Sequence, residues 1–352
     1  MGKRYAAYVG SYTYIGNSQG ITILDVDTEN GTMTPRKEVR ANNASYVSAS
    51  QDGSRLYSIV DDGIVSFRVL PDGDLERMGK APIRGMRGCH ISTNKDKSYV
   101  FVSGYHDGKV TVLRMNEDGS VGPITDNFYD KGIGSIAERN FRPHISCARL
   151  TPDERFLCVA DLGIDQIKVF RFNKETGTLK MADVIRCELE SAPRFLRFSP
   201  DGRFMYVISE LKNYLSVYTY TETKGLPSFE LIQQTPTVAK KHSNVNAAAA
   251  LRFSPDGKLV LCSNAGDNSI GIFDRDEQTG FLTQRVVLPV SGEYPKDIGM
   301  LPGGKYLYSL NHETGTMTFF TWVPEKNYFY MHTSPIKIDQ PNCCALVELP
   351  EK

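Results

Sequence analysis

"FSPDGRFMYVISELKNYLSVYTY", residues 198–220, returns as "FSPDGKLVLCSNAGDNSIGIFDR" at residues 253–275. Weaker copies begin at Gln51 ("QDGSRLYSIV"), Lys95 ("KDKSYVFVSG"), Thr151 ("TPDERFLCVAD") and Leu301 ("LPGGKYLYSLN"). Aligned on their turn residues Asp52, Asp96, Asp153, Asp201, Asp256 and Gly303, the copies are 44, 57, 48, 55 and 47 residues apart. A period of roughly 40–50 residues with about four short strands per unit is the signature of a β-propeller.

Each unit has a physical reading. In Ser/Thr-Pro-Asp-Gly, Pro presets φ, Asp bonds to its own backbone and Gly accepts positive φ. The run Phe204–Ile208 that follows is aromatic and β-branched, and its length suits a buried strand. Polar residues 211–213 then turn the chain into the alternating "YLSVYTY", and "ETGTLKMADVIRC" (175–187) and "QTGFLTQRVVLPV" (278–290) read as fourth strands. No window sustains a helical period.

Six marked turns make seven blades once the ends are considered. Residues 4–27 read as the second and third strands of a unit that has no first strand before them. "QPNCCALVEL" (340–349) matches "APRFLRF" (192–198), the first strand of a complete unit. The expected fold is therefore all-β: a seven-bladed β-propeller of four-stranded antiparallel blades, closed by the C-terminal strand joining the N-terminal strands. Closure of this kind removes exposed strand edges. Residues 1–352 are expected to form one such domain.

Lys plus Arg equals Asp plus Glu, at 41 each, so no basic field is available to hold nucleic acid. No apolar stretch has the length of a membrane span, and residues 1–4 lead into a strand with no signal-peptide core. The seven cysteines are scattered without a CxxC pair, as free thiols in a reducing compartment would be. These features predict a cytoplasmic protein with neither a nucleic-acid nor a membrane partner. Its oligomeric state is left open.

The topology selects a face. In a blade the start of the first strand and the end of the antiparallel second strand meet on one side of the central channel. First-strand starts offer Tyr46, His90, Arg142, His144, Arg194, Asn246, Lys296 and Asn342. Second-strand ends offer Tyr12, Asp61, Tyr105, Leu162, Glu210, Ala265 and His312, with Asn264 and Asn311 one position earlier. Polar groups converging on a rigid apolar frame form the usual kind of ligand pocket. No HxH, HExxH, GxSxG or phosphate loop is present, so neither a metal nor a cofactor is expected. What remains is acid–base chemistry by His and Glu, with Arg and Lys holding an anionic substrate.

With these residues in view, "YVGSYT" (8–13), "RPHISCARLTPDERFLCVADLGIDQIKVFRF" (142–172), "APRFLRFSPDGRFMYVISEL" (192–211), "SNAGDNSIGIF" (263–273) and "YPKDIGMLPGGKYLYSLN" (294–311) resemble the lactonase family of seven-bladed propellers. That family includes propeller-type 6-phosphogluconolactonases and carboxymuconate-lactonizing enzymes. The resemblance implies catalytic roles for His144, Arg194 and Glu210. Four positions depart from the family pattern: Phe195 replaces a histidine, Ala265 an arginine, Lys296 an arginine and Ala250 a glutamate. Lysine is a point charge and not a bidentate fork. The segment from His144 to Pro152 is two residues longer than that from Arg194 to Pro200, which makes Ser146 a rival of His144 for the aligned position.

The expected function is hydrolysis of a sugar lactone such as 6-phosphogluconolactone. His144 or Glu210 would activate water and Arg194 would polarise the carbonyl. The substrate-binding candidates are His90, Arg142, Lys296, Tyr105, Asn264, Asn311 and His312, and the partner is a small lactone or organic acid. Two alternatives stand beside it: a lactonizing or ring-opening isomerase of an aromatic-derived acid, and a non-catalytic interaction platform.

Overall fold

The computed structural model of the chain describes residues 3–135, 140–239 and 246–351. Its strands form seven sheets, each antiparallel throughout. The fifth sheet in chain order is representative. Pro193–Phe198 is innermost, then Phe204–Ser209, Tyr214–Thr223 and finally Leu226–Pro236 at the rim. In the seventh sheet the rim position is shared, because Tyr328–Met331 and Ile336–Lys337 both pair with Thr316–Val323.

The ring closes as the sequence predicts. Pro341–Leu349 lies inside Arg4–Ser11, in register from Arg4 opposite Leu349 to Ser11 opposite Pro341, with Gly20–Asp27 and Thr32–Arg40 outside. The turn chemistry is also as predicted. Asp201 Oδ1 accepts from the Ser199 hydroxyl (2.5 Å) and the Arg203 amide (3.2 Å), and Asp256 does the same with Ser254 and Lys258. Gly202 and Gly257 supply the positive φ (76° and 72°), and in two weaker copies Glu154 (58°) and Lys97 (60°) adopt it instead.

Seven apolar clusters fill the gaps between neighbouring blades, one to each gap. Second strands such as Phe204–Ser209 are buried at every position, because each is covered by a blade on both faces. At about 1.5–3 kcal/mol for each large apolar side chain buried, these gaps carry most of the stabilisation. That apolar frame leaves the central channel as the place where polar side chains collect.

Candidate active site

The inner strands carry a repeated irregularity at their starts. The ladder slips between Ile145 and Cys147, Pro193 and Phe195, Ala248 and Leu251, Pro295 and Asp297, and again opposite Gly10–Ser11. The residues left over are Ser146, Arg194, Ala249 with Ala250, Lys296 and Asn342. A bulged residue is released from the ladder and its side chain is re-aimed. All of these line one cavity of about 310 Å³ at the channel mouth.

A second repeated device precedes two of the bulges. Ala192 (φ 56°) and Tyr294 (58°) occupy the left-handed region just before Pro193 and Pro295. Their amides are held by Asp165 Oδ1 and Asn268 Oδ1, each at 2.8 Å. Non-glycine residues pay a conformational penalty there, and here that conformation swings Arg194 and Lys296 into the mouth.

Glu210 follows directly on the second strand of the fifth blade, its amide bonded to Ala192 O at 2.8 Å. Its side chain is 1% exposed and is ion-paired and hydrogen-bonded to Arg194 Nη1, whose own side chain is 31% open. Burial opposes the Arg194 charge, but the attraction and hydrogen bond of Glu210 outweigh it and hold the guanidinium above its ordinary pKa. Lys296 Nζ donates to Asn342 Oδ1 (3.0 Å) and sits 4.9 Å from the Tyr12 ring centroid. Burial first, and then Arg194, push its pKa down to about 8.

Arg87 also lies over the Tyr12 ring, 4.9 Å from the same centroid, and meets Asp61 at 3.3 Å. Deeper in, Arg252 donates to both oxygens of Asp297 (3.0 and 2.5 Å). The cavity therefore sets four cations, Arg87, Arg194, Arg252 and Lys296, against the two carboxylates Glu210 and Asp297. Cys89 also lines it, but burial pushes that thiol up to about 12, so it offers no thiolate nucleophile at neutral pH.

The structure sorts the residues expected from sequence into two groups. Arg194, Glu210, Lys296 and Tyr105 line the cavity. His144 does not, and Ser146 takes the aligned place, its hydroxyl donating to Arg194 O at 2.7 Å. His144 is stacked on Tyr105 (centroids 4.3 Å apart), with Nδ1 at 2.7 Å from Tyr105 O. A carbonyl only accepts, so Nδ1 carries the proton. Burial lowers the His144 pKa and keeps the ring neutral.

The other candidates sit away from the cavity lining. His90 is buried below the mouth between Tyr46 and Phe195, with Nδ1 accepting from the Ala148 amide (3.4 Å) and Nε2 3.7 Å from Cys147 Sγ. Arg142 stays at the exposed rim, over the Phe141 ring and 3.4 Å from His106 O. Asn264 and Asn311 turn away from the mouth, Asn264 to Ser269 of its own blade and to Thr237 O just past the rim strand of the fifth blade, and Asn311 to Thr316 and Thr318 of its own blade. His312 lies behind Tyr12, bonded to Pro341 O (3.1 Å), and burial followed by Lys296 pushes its pKa down to about 4.

Arg87, Arg252, Asp297 and Tyr294 are cavity residues that the strand-end alignment did not single out. Arg252 alone had a signal, since "RFSPD" recurs at Arg197 and a near copy at Arg149. Arg87 lies in the irregular stretch before His90, which has no repeat register. Among the described residues, no three or more His, Cys, Asp or Glu side chains gather at metal-holding range. No helix among them is long and apolar enough to cross a membrane.

A family model described as lactonase, 7-bladed beta-propeller, matches residues 6–346. The chain is 28% identical over 346 residues to the 6-phosphogluconolactonase of Bacillus subtilis, covering 97% of each. It is 27% identical over 326 residues to the 6-phosphogluconolactonase of Formosa agariphila, covering 89% of this chain and 91% of the relative. The solved structure of the periplasmic gluconolactonase of Pseudomonas aeruginosa superposes with a TM-score of 0.91 at 25% identity, over 99% of this chain and 100% of that one.

Proposed function

The chain belongs to the seven-bladed β-propeller lactonases, and from that premise we propose that it hydrolyses a sugar lactone bearing an anionic group, such as 6-phosphogluconolactone. The observation that carries this reading is the Glu210–Arg194 pair, set in a cavity that holds more cations than carboxylates. The relatives named 6-phosphogluconolactonase support the same substrate class.

The reaction follows from those groups. The Glu210 carboxylate takes a proton from water as the water oxygen adds to the lactone carbonyl carbon. The Arg194 guanidinium donates to the oxyanion that forms. When the tetrahedral intermediate collapses, the ring C–O bond breaks and the departing alkoxide recovers the proton from Glu210, leaving the open-chain hydroxy acid. Lys296 and Arg87 attract the substrate's anionic group. His144, outside the cavity, positions Tyr105 through the stacked ring and the hydrogen bond to its carbonyl. Freshly prepared δ-gluconolactone and its 6-phosphate, followed by proton release, test this directly. No acceleration over the spontaneous rate for either substrate removes the reading.

Lys296 gives the reaction a predictable pH dependence. With its pKa at about 8, it is charged at pH 7 and loses its charge as pH rises through 8. KM for the phosphorylated lactone is expected to rise roughly tenfold between pH 7 and 9, the equivalent of about 1.4 kcal/mol. KM for uncharged δ-gluconolactone should stay flat. Lys296→Met should show the high KM at every pH, and a wild-type KM that does not change through pH 8 would remove Lys296 from substrate binding.

One observation favours a second reading. Tyr46, Tyr105 and Phe195 all line the cavity, an aromatic surface suited to a flat acid. Ring closure or opening of a muconate-class acid by the same Glu210 is distinguished by a change in the diene's ultraviolet absorption, a loss on closure and a gain on opening, with no turnover of the sugar lactones.

A further inference from the structure

Arg149, Arg197 and Arg252 occupy one repeat position in the fourth, fifth and sixth blades, each three residues before the turn prolines Pro152, Pro200 and Pro255. The same inner strand that presents Arg194 at the mouth carries Arg197 near its other end; Arg252 lines the floor of the mouth cavity, whereas Arg149 and Arg197 line a separate one. Among the described residues, Arg252 is the one of the three paired with a carboxylate, Asp297. Arg197 Nε donates to Leu251 O at 2.6 Å. Arg149 Nε is buried and has no hydrogen-bond partner. Both Arg149 and Arg197 lie 5.3 Å from the centroid of Phe195. Phe195, with His90 at 5.2 Å and Tyr46 beyond it, forms an aromatic plug between these guanidiniums and the mouth.

The three guanidiniums are half-buried and set against one carboxylate, so they repel one another and an anion between them would offset that repulsion. The strain registers on Arg197 itself: burial, then Arg149 and Arg252, push it down to about 9. A cavity of about 230 Å³ opens beside Arg149 and Arg197, with the Ser92 and Thr93 positions on its wall and Lys95 at its edge. The one carboxylate on that edge, Glu154, is held by the Lys95 amide (2.5 Å) and lies 3.8 Å from Lys174.

We propose that Arg149 and Arg197 form a second anion site at the far end of the channel, separate from the mouth, which takes a phosphate-class oxyanion. Guanidinium forks match the geometry of such an ion, and Arg149 Nε is the donor left for it.

The test is thermal unfolding with inorganic phosphate, at ionic strength fixed with sodium chloride. At phosphate a hundred times its dissociation constant, the wild-type midpoint should rise by about 3–4 °C. Arg149→Met and Arg197→Met should fold, lose most of that rise, and unfold no earlier than wild type without phosphate, because each relieves repulsion. Lys296→Met, at the mouth, should keep the rise. If Arg149→Met does not fold, Arg149→Lys serves instead and should show a reduced rise. Glycerol 3-phosphate in place of inorganic phosphate separates an esterified phosphoryl group from the free ion, and a response to either that Arg149→Met loses and Lys296→Met keeps supports the site. No rise in wild type, or a rise kept by Arg149→Met (or undiminished in Arg149→Lys) and lost in Lys296→Met, overturns it.

Discussion

Glu210→Gln is expected to lower lactone turnover by roughly two to four orders of magnitude, the usual range for removal of a general acid or base. The fold does not require a carboxylate here, since the aligned positions in the other blades hold Tyr12, Asp61, Tyr105, Leu162, Ala265 and His312. Yet Glu210 is 1% exposed and paired with Arg194, and a carboxylate taken out of water is costly unless it is paired. Gln preserves the shape and most hydrogen bonding but cannot accept the proton of water. Because the Arg194 side chain is partly open to the cavity, losing its counter-charge should cost about 1 kcal/mol of stability, well short of a fully buried pair. Steady-state kinetics and a urea midpoint on the same preparation separate the two effects. A variant with near-normal turnover would make Glu210 structural, and the proton transfer would then need another group at the mouth.

Asp297→Ala should have the largest effect on stability, about 3–5 kcal/mol, the range found when one partner of a buried ion pair is removed. Asp297 is 4% exposed. It accepts two bonds from Arg252 and one from the Cys344 amide (2.9 Å), so it ties the sixth and seventh blades to the closing C-terminal strand. Without it, Arg252 joins Arg149 and Arg197 as a third uncompensated guanidinium. Asp297→Asn keeps hydrogen-bonding capacity without the charge and should fall between the two. Pairing Asp297→Ala with Arg252→Met should recover much of the loss, because both ends of the interaction are then gone. Equilibrium urea unfolding measures all four proteins, and a loss below about 1 kcal/mol for Asp297→Ala would mean that Arg252 is adequately solvated without its partner.

The architecture was legible in the chain because it rests on local chemistry repeated at a fixed interval. The Ser/Thr-Pro-Asp-Gly turns, the aromatic and β-branched strands and the unmatched ends at 4–27 and 340–349 each specify structure within a few residues of themselves. Together they give seven blades and their closure, which the structure bears out. The same reasoning chose the face at which Arg194, Glu210, Lys296 and Tyr105 meet in a cavity.

Which side chains enter that cavity was decided only by tertiary structure. Strand alternation predicts an inward set of residues only while the ladder stays regular, and the inner strands slip at their starts in five blades. The bulge leaves Ser146 out of the ladder and releases its side chain into the mouth, while His144, just before the strand begins at Ile145, turns to the Tyr105 carbonyl. Asn264 and Asn311 end their strands as aligned, but nearby hydroxyls and a carbonyl, that of Thr237 beside the fifth blade for Asn264 and those of its own blade for Asn311, capture their amides. The pairing of Arg252 with Asp297, the stacking of Arg87 on Tyr12 and the unmatched charge of Arg149 and Arg197 all join residues from different blades. Sequence fixes the spacing of such residues along the chain, while the distances between them arise only when the ring closes.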